Sequence, residues 1–158
     1  MNNYFEYLDN LPIIPNELIS EVHASILKYP NDFKVSFKTD YRRHAVTEQL
    51  KEFVKLSFNN HVIKIQIIEN KLEIHRDIGR TVAYNYLIDS GGSNVETCFY
   101  EDMTVDIPVY ENKTFRLIEK IKIEEHRWHC LNVSNLHNVI NLTSPRIAIT
   151  VSHQTSNV

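Results

Sequence analysis

Four polar residues stand at spacings that suit a small metal and anion site. His75 and Asp77 are two residues apart in a segment with a strand-like composition. Because alternate residues of a strand point to the same face, the imidazole and the carboxylate can reach one point. His137 follows sixty residues after Asp77, and Arg146 comes nine residues later. A lone His-x-Asp tripeptide arises often by chance, so the prediction depends on the complete set.

Two imidazoles and one carboxylate on one face of a metal ion leave its other coordination positions open. This arrangement is the facial triad of non-haem Fe(II) oxygenases. An arginine close to such a centre would bind a carboxylate in bidentate fashion. In the strand that Arg146 opens, its face carries Ala148, Thr150 and Ser152, whereas the alternate positions are Ile and Val. Small and polar side chains around the arginine predict a cavity for a small anion.

Apolar periodicity predicts two helices followed by a run of strands. The helices span residues 15–29 and 47–58, and Thr47 is a suitable N-cap for the second. The predicted strands are rich in Ile, Val, Tyr, Phe and Thr, and span residues 62–69, 72–77, 81–88, 95–100, 115–123, 127–133, 137–142 and 146–152.

Eight short strands with turns between them predict a mainly β fold with N-terminal helices. The arrangement that fits best is a double-stranded β-helix, the jelly roll of cupin-like proteins. A length of 158 residues suits a single domain, 1–158. We expect a helical N-terminal layer over residues 1–60 and a β-helix core over residues 61–153.

Composition excludes several other classes of protein. The net charge of -3 leaves no basic excess to neutralise phosphates, which argues against nucleic acid as a partner. No apolar run approaches the roughly 18 residues that span a bilayer, so no membrane partner is expected. Two cysteines are too few for a disulfide framework. Without a signal-like N-terminus, the expected location is a reducing cytoplasm.

The order of His75-x-Asp77, His137 and Arg146 resembles the 2-oxoglutarate/Fe(II)-dependent dioxygenases. The details look most like the aspartyl/asparaginyl β-hydroxylase and cis-proline hydroxylase branch, and the resemblance covers about residues 61–153. The local features that agree with this branch are Arg80, Asn85, Trp128, the run from His137 to Asn141, and the run from Ser144 to Ile147.

The resemblance implies a metal and a cosubstrate. Fe(II) would be held by His75, Asp77 and His137, and 2-oxoglutarate would chelate it while Arg146 pairs with the distal carboxylate. The substrate would be an amino acid, a peptidyl side chain or another small molecule, hydroxylated with release of succinate and CO2. The alternative is a non-catalytic, cupin-like protein that binds a metal or ligand, although such a protein would be expected to have lost one of the four residues.

The resemblance leaves two residue roles open. Arg80 would contact the cosubstrate or substrate, or brace the loop that carries Asp77. Asn85 could donate to a cosubstrate carboxylate, in which case strand parity turns Tyr84 and Tyr86 to the opposite face; if a tyrosine makes that contact, Asn85 does not. We favour Asn85.

The sequence also predicts which segments determine substrate selectivity and where other histidines lie. In so short a chain, selectivity would come from the helical layer, the turn at 89–94 and the segment 101–114. His126 and His129 fall on opposite faces of a strand, so a second metal pair is not expected. We expect His44 to lie on the surface.

Overall fold

The computed structural model describes residues 4–28, 41–103 and 114–153, and within these ranges the chain is mainly β. The helices are α1 (Asn16–Lys28) and α2 (Glu48–Lys55). The strands are β1 (Phe5–Tyr7), β2 (Tyr41–Ala45), β3 (His61–Ile68), β4 (Leu72–His75), β5 (Val82–Asp89), β6 (Glu96–Asp102), β7 (Phe115–Ile121), β8 (Trp128–Asn132), β9 (Leu136–Ile140) and β10 (Arg146–His153).

The strands form two antiparallel sheets. The larger has the order β1-β8-β5-β10-β3-β2, and the smaller has the order β4-β9-β6-β7. Chain neighbours β3 and β4, or β5 and β6, lie in different sheets, so that the chain winds between them as in a jelly roll. The predicted fold class is confirmed.

Both predicted helices and all eight predicted strands are present, but two strands were missed. β1 pairs with β8 and β2 pairs with β3, at the two edges of the larger sheet. β1 has only three residues, and the β2 sequence Tyr-Arg-Arg-His-Ala lacks apolar alternation. Short or charged strands are typical of sheet edges. The layer over residues 1–60 is therefore not purely helical, and the division of the chain into one domain stays a prediction.

The helices cover the outer face of the larger sheet. Ile19 and Val22 of α1, with Leu50 and Val54 of α2, belong to the same buried cluster as the sheet residue Ile149. Full burial of such a side chain stabilises the fold by roughly 1.5–3 kcal/mol. The predicted N-cap is confirmed, because the Leu50 amide donates to the Thr47 hydroxyl at 3.3 Å. Neither helix in the described ranges is long and apolar enough to cross a membrane.

Candidate metal centre and anion pocket

The two predicted histidine ligands lie side by side on adjacent strands of the smaller sheet. His75 on β4 is the register partner of His137 on β9, and their ring centroids are 4.4 Å apart. Asp77 completes the group, since its Oδ1 lies 3.3 Å from His75 Nε2 and 3.9 Å from His137 Nε2. One ligand atom from each residue lies within 4.8 Å of the others. The structure thus brings the predicted triad together at one point.

The position of Asp77 differs from the prediction that it lies on the His75 strand. β4 ends at His75, and the Asp77 amide donates to the carbonyl of Val133 at 3.0 Å instead of to a neighbouring strand of the smaller sheet. The chain crosses here from β4 in one sheet to β5 in the other, and Gly79 takes a positive φ of 83° in the crossing. Asp77 therefore reaches the histidines from the crossover.

Backbone carbonyls set the tautomers of both ligand histidines. His75 Nδ1 lies 2.7 Å from the Glu73 carbonyl, and His137 Nδ1 lies 2.8 Å from the Asn135 carbonyl. Because a carbonyl can only accept, each Nδ1 carries a hydrogen and donates it. Nε2 is then the nitrogen left to bind a metal, as in metal sites whose ligand histidines donate the other N–H to a protein acceptor.

The pKa shifts of the three triad residues favour binding of a cation. Burial alone would raise the pKa of Asp77, but the His75 hydrogen bond and the Arg80 charge outweigh it and lower that pKa to about 2. Burial lowers the pKa of His75, but the hydrogen bond with Asp77 reverses the balance and raises it overall. Burial lowers the pKa of His137. At neutral pH Asp77 is therefore a carboxylate and His137 a neutral imidazole, and both can bind a cation.

Arg80 braces the carboxylate. Its Nε donates to Asp77 Oδ2 at 2.5 Å, whereas Oδ1 is the oxygen that faces the two histidines. One oxygen is thus held in place and the other is left to bind. This contact corresponds to the bracing role among the two roles that the sequence left open; a contact of Arg80 with a cosubstrate stays a prediction.

A cavity of about 630 Å³ lies between the sheets and joins the triad to Arg146. Both histidines, Asp77, Arg80, Asn85 and Arg146 line it, so all six predicted site residues share one space. Much of the remaining wall is apolar, from residues such as Leu87, Leu131, Val139 and Ala148. Apolar walls that surround converging polar groups are typical of small-molecule sites.

Arg146 is a buried cation, 7% exposed, with weak partners. Its guanidinium donates to the Ser90 carbonyl at 3.5 Å and to the Thr97 hydroxyl at 3.4 Å. Within the described ranges no carboxylate lies within ion-pair distance of it. Burial lowers the pKa of Arg146 to about 10, which still leaves it charged at neutral pH. A buried, unpaired charge of this kind is costly, and an anionic ligand would offset the cost.

The turn at 89–94 supports the Arg146 end of the cavity. Gly91 accepts hydrogen bonds at its carbonyl from the amides of Thr143 and Ser144, at 2.8 and 3.0 Å. Its φ is 83°, and a Cβ there would lie 2.6 Å from Leu142 and 3.2 Å from the Arg146 Cβ. Only glycine permits this approach. In this structure the turn positions Arg146; its influence on selectivity stays a prediction.

Strand parity around Asn85 is confirmed. Asn85 faces the cavity, whereas Tyr86 is fully buried in the cluster under the helices and Tyr84 packs against that cluster. The Asn85 Oδ1 is buried and has no hydrogen-bond partner in the described part of the chain. The contact that Asn85 makes with a ligand stays a prediction.

Two cavity residues, Thr97 and His129, were not among the predicted site residues. Thr97 supplies a hydroxyl to Arg146, and His129, only 1% exposed, lies on the cavity wall beside Asn85, its register partner. Burial, with a contribution from Arg146, lowers the pKa of His129 to about 3, so this ring is neutral. The signal that could have found His129 is its parity with Leu131 on β8, which also lines the cavity.

Two other predictions are wrong, and a third concerns residues that lie mostly outside the described ranges. His44 is buried, with 3% exposure, and not a surface residue. No described residue of α1 or α2 lines the cavity, because the helices cover the opposite face of the larger sheet. Most of the segment 101–114, residues 104–113, lies outside the described residues.

The fold and the site together define a jelly-roll protein with a candidate His-Asp-His metal centre. No protein-family model matches the chain, and no curated protein matches it in sequence. Among solved structures it is similar to a prolyl-4-hydroxylase from Pseudomonas putida, with a TM-score of 0.52 and 9% sequence identity. The similarity covers 95% of this chain and 91% of that chain. At this level of identity the similarity shows the fold.

Proposed function

We propose that this protein is an Fe(II)- and 2-oxoglutarate-dependent oxygenase. The observation that carries the proposal is a buried arginine, without a carboxylate partner in the described ranges, in the same cavity as a His-Asp-His triad. A metal centre alone does not need Arg146, and an anion site alone does not need the triad. A ligand that chelates a metal at one end and carries a carboxylate at the other would need both.

The triad fits a divalent metal of the ferrous type. His75, Asp77 and His137 offer two imidazole nitrogens and one carboxylate oxygen, the donor set of the facial triad in Fe(II) oxygenases. A bound ferrous centre would supply the reaction of dioxygen with 2-oxoglutarate and substrate, in which one oxygen atom enters succinate as CO2 is released and the other hydroxylates the substrate.

The protein's own residues bind, orient and exclude water. The Arg146 guanidinium would hold the distal carboxylate of the cosubstrate, and the neutral His129 beside it adds no competing charge. Arg80 holds the Asp77 carboxylate so that Oδ1 faces the histidines. Apolar side chains such as Leu131 and Val139 line the space between the two ends and would help to exclude water from it once ligands are bound.

The finer assignments are proposals of the same kind. The substrate is an amino acid, a peptidyl side chain or another small molecule, and Asn85 is the additional cosubstrate contact. The aspartyl/asparaginyl β-hydroxylase and cis-proline hydroxylase branch remains the proposed relationship, and a reducing cytoplasm the proposed location. The structural similarity to a hydroxylase supports the oxygenase proposal through the fold alone.

The decisive experiment is anaerobic addition of Fe(II) and 2-oxoglutarate. Chelation of the metal by the cosubstrate should give a weak visible charge-transfer band that saturates as 2-oxoglutarate is added. Replacing Arg146 by Met should raise the 2-oxoglutarate Kd by roughly 10- to 150-fold, because a charge-assisted hydrogen bond contributes roughly 1.5–3 kcal/mol.

A matched control is Arg116→Met, which removes an exposed arginine of β7 that pairs with Glu101 of β6. Its Kd should equal that of the wild type. Absence of the band in well-folded wild-type protein would overturn the proposal. A band with no succinate formed across a panel of amino acids and peptides would favour the non-catalytic, ligand-binding alternative.

A further inference from the structure

A second, smaller cavity lies beside the metal centre. It has a volume of about 250 Å³ and shares Ile78 and Arg80 with the first cavity. Ile78 is fully exposed at this shared rim. No Asp or Glu is among the described residues that line the second cavity. Its polar lining residues are Lys64, Arg80, Thr150, Ser152 and His153.

Lys64 supplies an uncompensated charge to this space. Its side chain is half-buried on β3, and no acidic side chain in the described ranges lies within ion-pair distance of it. The Arg80 charge is partly balanced by Asp77, to which its Nε donates. Because that hydrogen bond uses Nε, the terminal nitrogens of Arg80 remain able to donate to a ligand.

A row of polar side chains connects the two cavities. Across the larger sheet, Asn85 is the register partner of His129 on one side and of Thr150 on the other, and Thr150 is in turn the partner of Lys64. His129 and Asn85 line the first cavity, and Thr150 and Lys64 line the second. The residues that flank the row on β5 and β8, such as Ala83 and Leu131, are apolar.

Two members of this row have unmet hydrogen-bonding capacity. The Asn85 Oδ1 and the Thr150 hydroxyl are buried and have no partner among the residues that the structure describes. Buried polar atoms are rarely left unpaired, so these two point to a ligand or an ordered water along the row.

We infer that the substrate of the metal centre carries an anionic group, such as a carboxylate, and that Lys64 binds this group in the second cavity together with Arg80. That this anion is part of a substrate rests on the proposed function, whereas the anion site itself does not. Bound in this way, the anion would lie on the far side of Arg80 from the triad. The rest of the molecule would extend along Ile78 towards the metal centre.

The anion site can be tested without metal or turnover. Titration of ¹⁵N-labelled, metal-free protein with acetate, and separately with inorganic phosphate, should shift the amides of Lys64, Gly79 and Ser152 with a common Kd. Lys64→Gln should raise that Kd at least 5-fold, Lys64→Arg should restore it, and Lys55→Gln on the exposed surface of α2 should leave it unchanged. Shifts confined to Thr97 and Ala148, near Arg146, would overturn the inference, as would an unchanged Kd in Lys64→Gln.

A turnover assay tests whether the anion site binds the substrate. In a succinate assay, each carboxylate substrate found should lose activity when it is replaced by its carboxamide, and Lys64→Gln should reduce that preference at least 5-fold. An equal preference in wild type and Lys64→Gln would overturn the link between the anion site and the substrate. If no compound supports succinate formation but acetate binds at Lys64, the proposed function fails while the anion site stands.

Discussion

Replacing Arg146 by Met should make the ligand-free protein more stable. Arg146 is buried, and its partners within the described residues are one carbonyl and one hydroxyl at 3.4–3.5 Å. Met has a similar volume and leaves no charge to desolvate. If the arginine is kept for an anionic ligand, its removal should improve folding and abolish binding together.

The size of the effect follows from the cost of burying the charge. Burial lowers the pKa of Arg146 from its usual value to about 10, and this difference corresponds to roughly 3 kcal/mol of destabilisation at neutral pH. Met loses two long hydrogen bonds and leaves the Thr97 hydroxyl and the Ser90 carbonyl without them, which costs about 1–2 kcal/mol. The net gain should be about 1–2 kcal/mol, or roughly 2–8 °C in Tm for a chain of this size.

The stability gained by Arg146→Met should change with pH only in alkaline solution. Because the pKa of Arg146 is lower in the folded state than in the unfolded state, the penalty is fully present below about pH 10 and declines as the pH rises above it. Between pH 6 and 8 the gain from Arg146→Met should therefore be constant.

Urea denaturation of metal-free protein in a chloride buffer measures the ligand-free difference. Repeating it with 2-oxoglutarate at about 100 times its Kd should stabilise the wild type by about 2.7 kcal/mol and the variant by almost nothing. A variant that is less stable than the wild type without ligand, and that still gains stability from 2-oxoglutarate, would refute this account of Arg146.

Three further predictions concern the residues that support the site. In metal-free protein, Asp77 should contribute about 2 kcal/mol of stability above pH 4 that is lost as the pH falls towards its folded pKa of about 2. Urea midpoints at pH 5 and pH 2.5 should therefore differ less in Asp77→Asn than in wild type, and equal differences would contradict the assignment. Arg80→Met should weaken divalent-metal binding 10- to 100-fold in calorimetry, because Arg80 orients the Asp77 carboxylate. The control variant Arg76→Met, which removes a neighbouring arginine, should not weaken it. Equal losses in the two variants would indicate a general effect of charge. Gly91→Ala should cost more than 2 kcal/mol in urea unfolding, since it combines a positive φ with close contacts, whereas Gly79→Ala, with a positive φ and open space, should cost about 1–2 kcal/mol. Equal costs would mean that the close contacts at Gly91 relax freely.

The elements of the fold were predictable because their signals are local. β-branched and aromatic runs separated by turns predicted strands β3 to β10, and apolar spacing predicted both helices. β1 and β2 were missed because their pairing to β8 and β3 is decided by tertiary contact at sheet edges, where sequence alternation is weak.

The site was predictable as a set of residues but not as a set of contacts. Spacing, together with the family resemblance, grouped His75, Asp77, His137 and Arg146 in one cavity, although Asp77 does not lie on the strand that was predicted to carry it. Parity also turned Asn85 towards it. The Arg80 contact depends on a crossover in which Asp77 leaves the strand, and no two-residue periodicity describes such a segment.

The arrangement of the histidines suggests what would be needed to transplant this site. Nδ1 of His75 and of His137 each donate to the carbonyl two residues earlier in the chain, and His61 and His129 form the same local contact. Main-chain acceptors cannot be removed by a side-chain substitution, so the tautomers are insensitive to mutation of the surrounding residues. A designer who grafts such a centre onto another sheet could therefore copy backbone and three side chains, without rebuilding an acceptor for either ring.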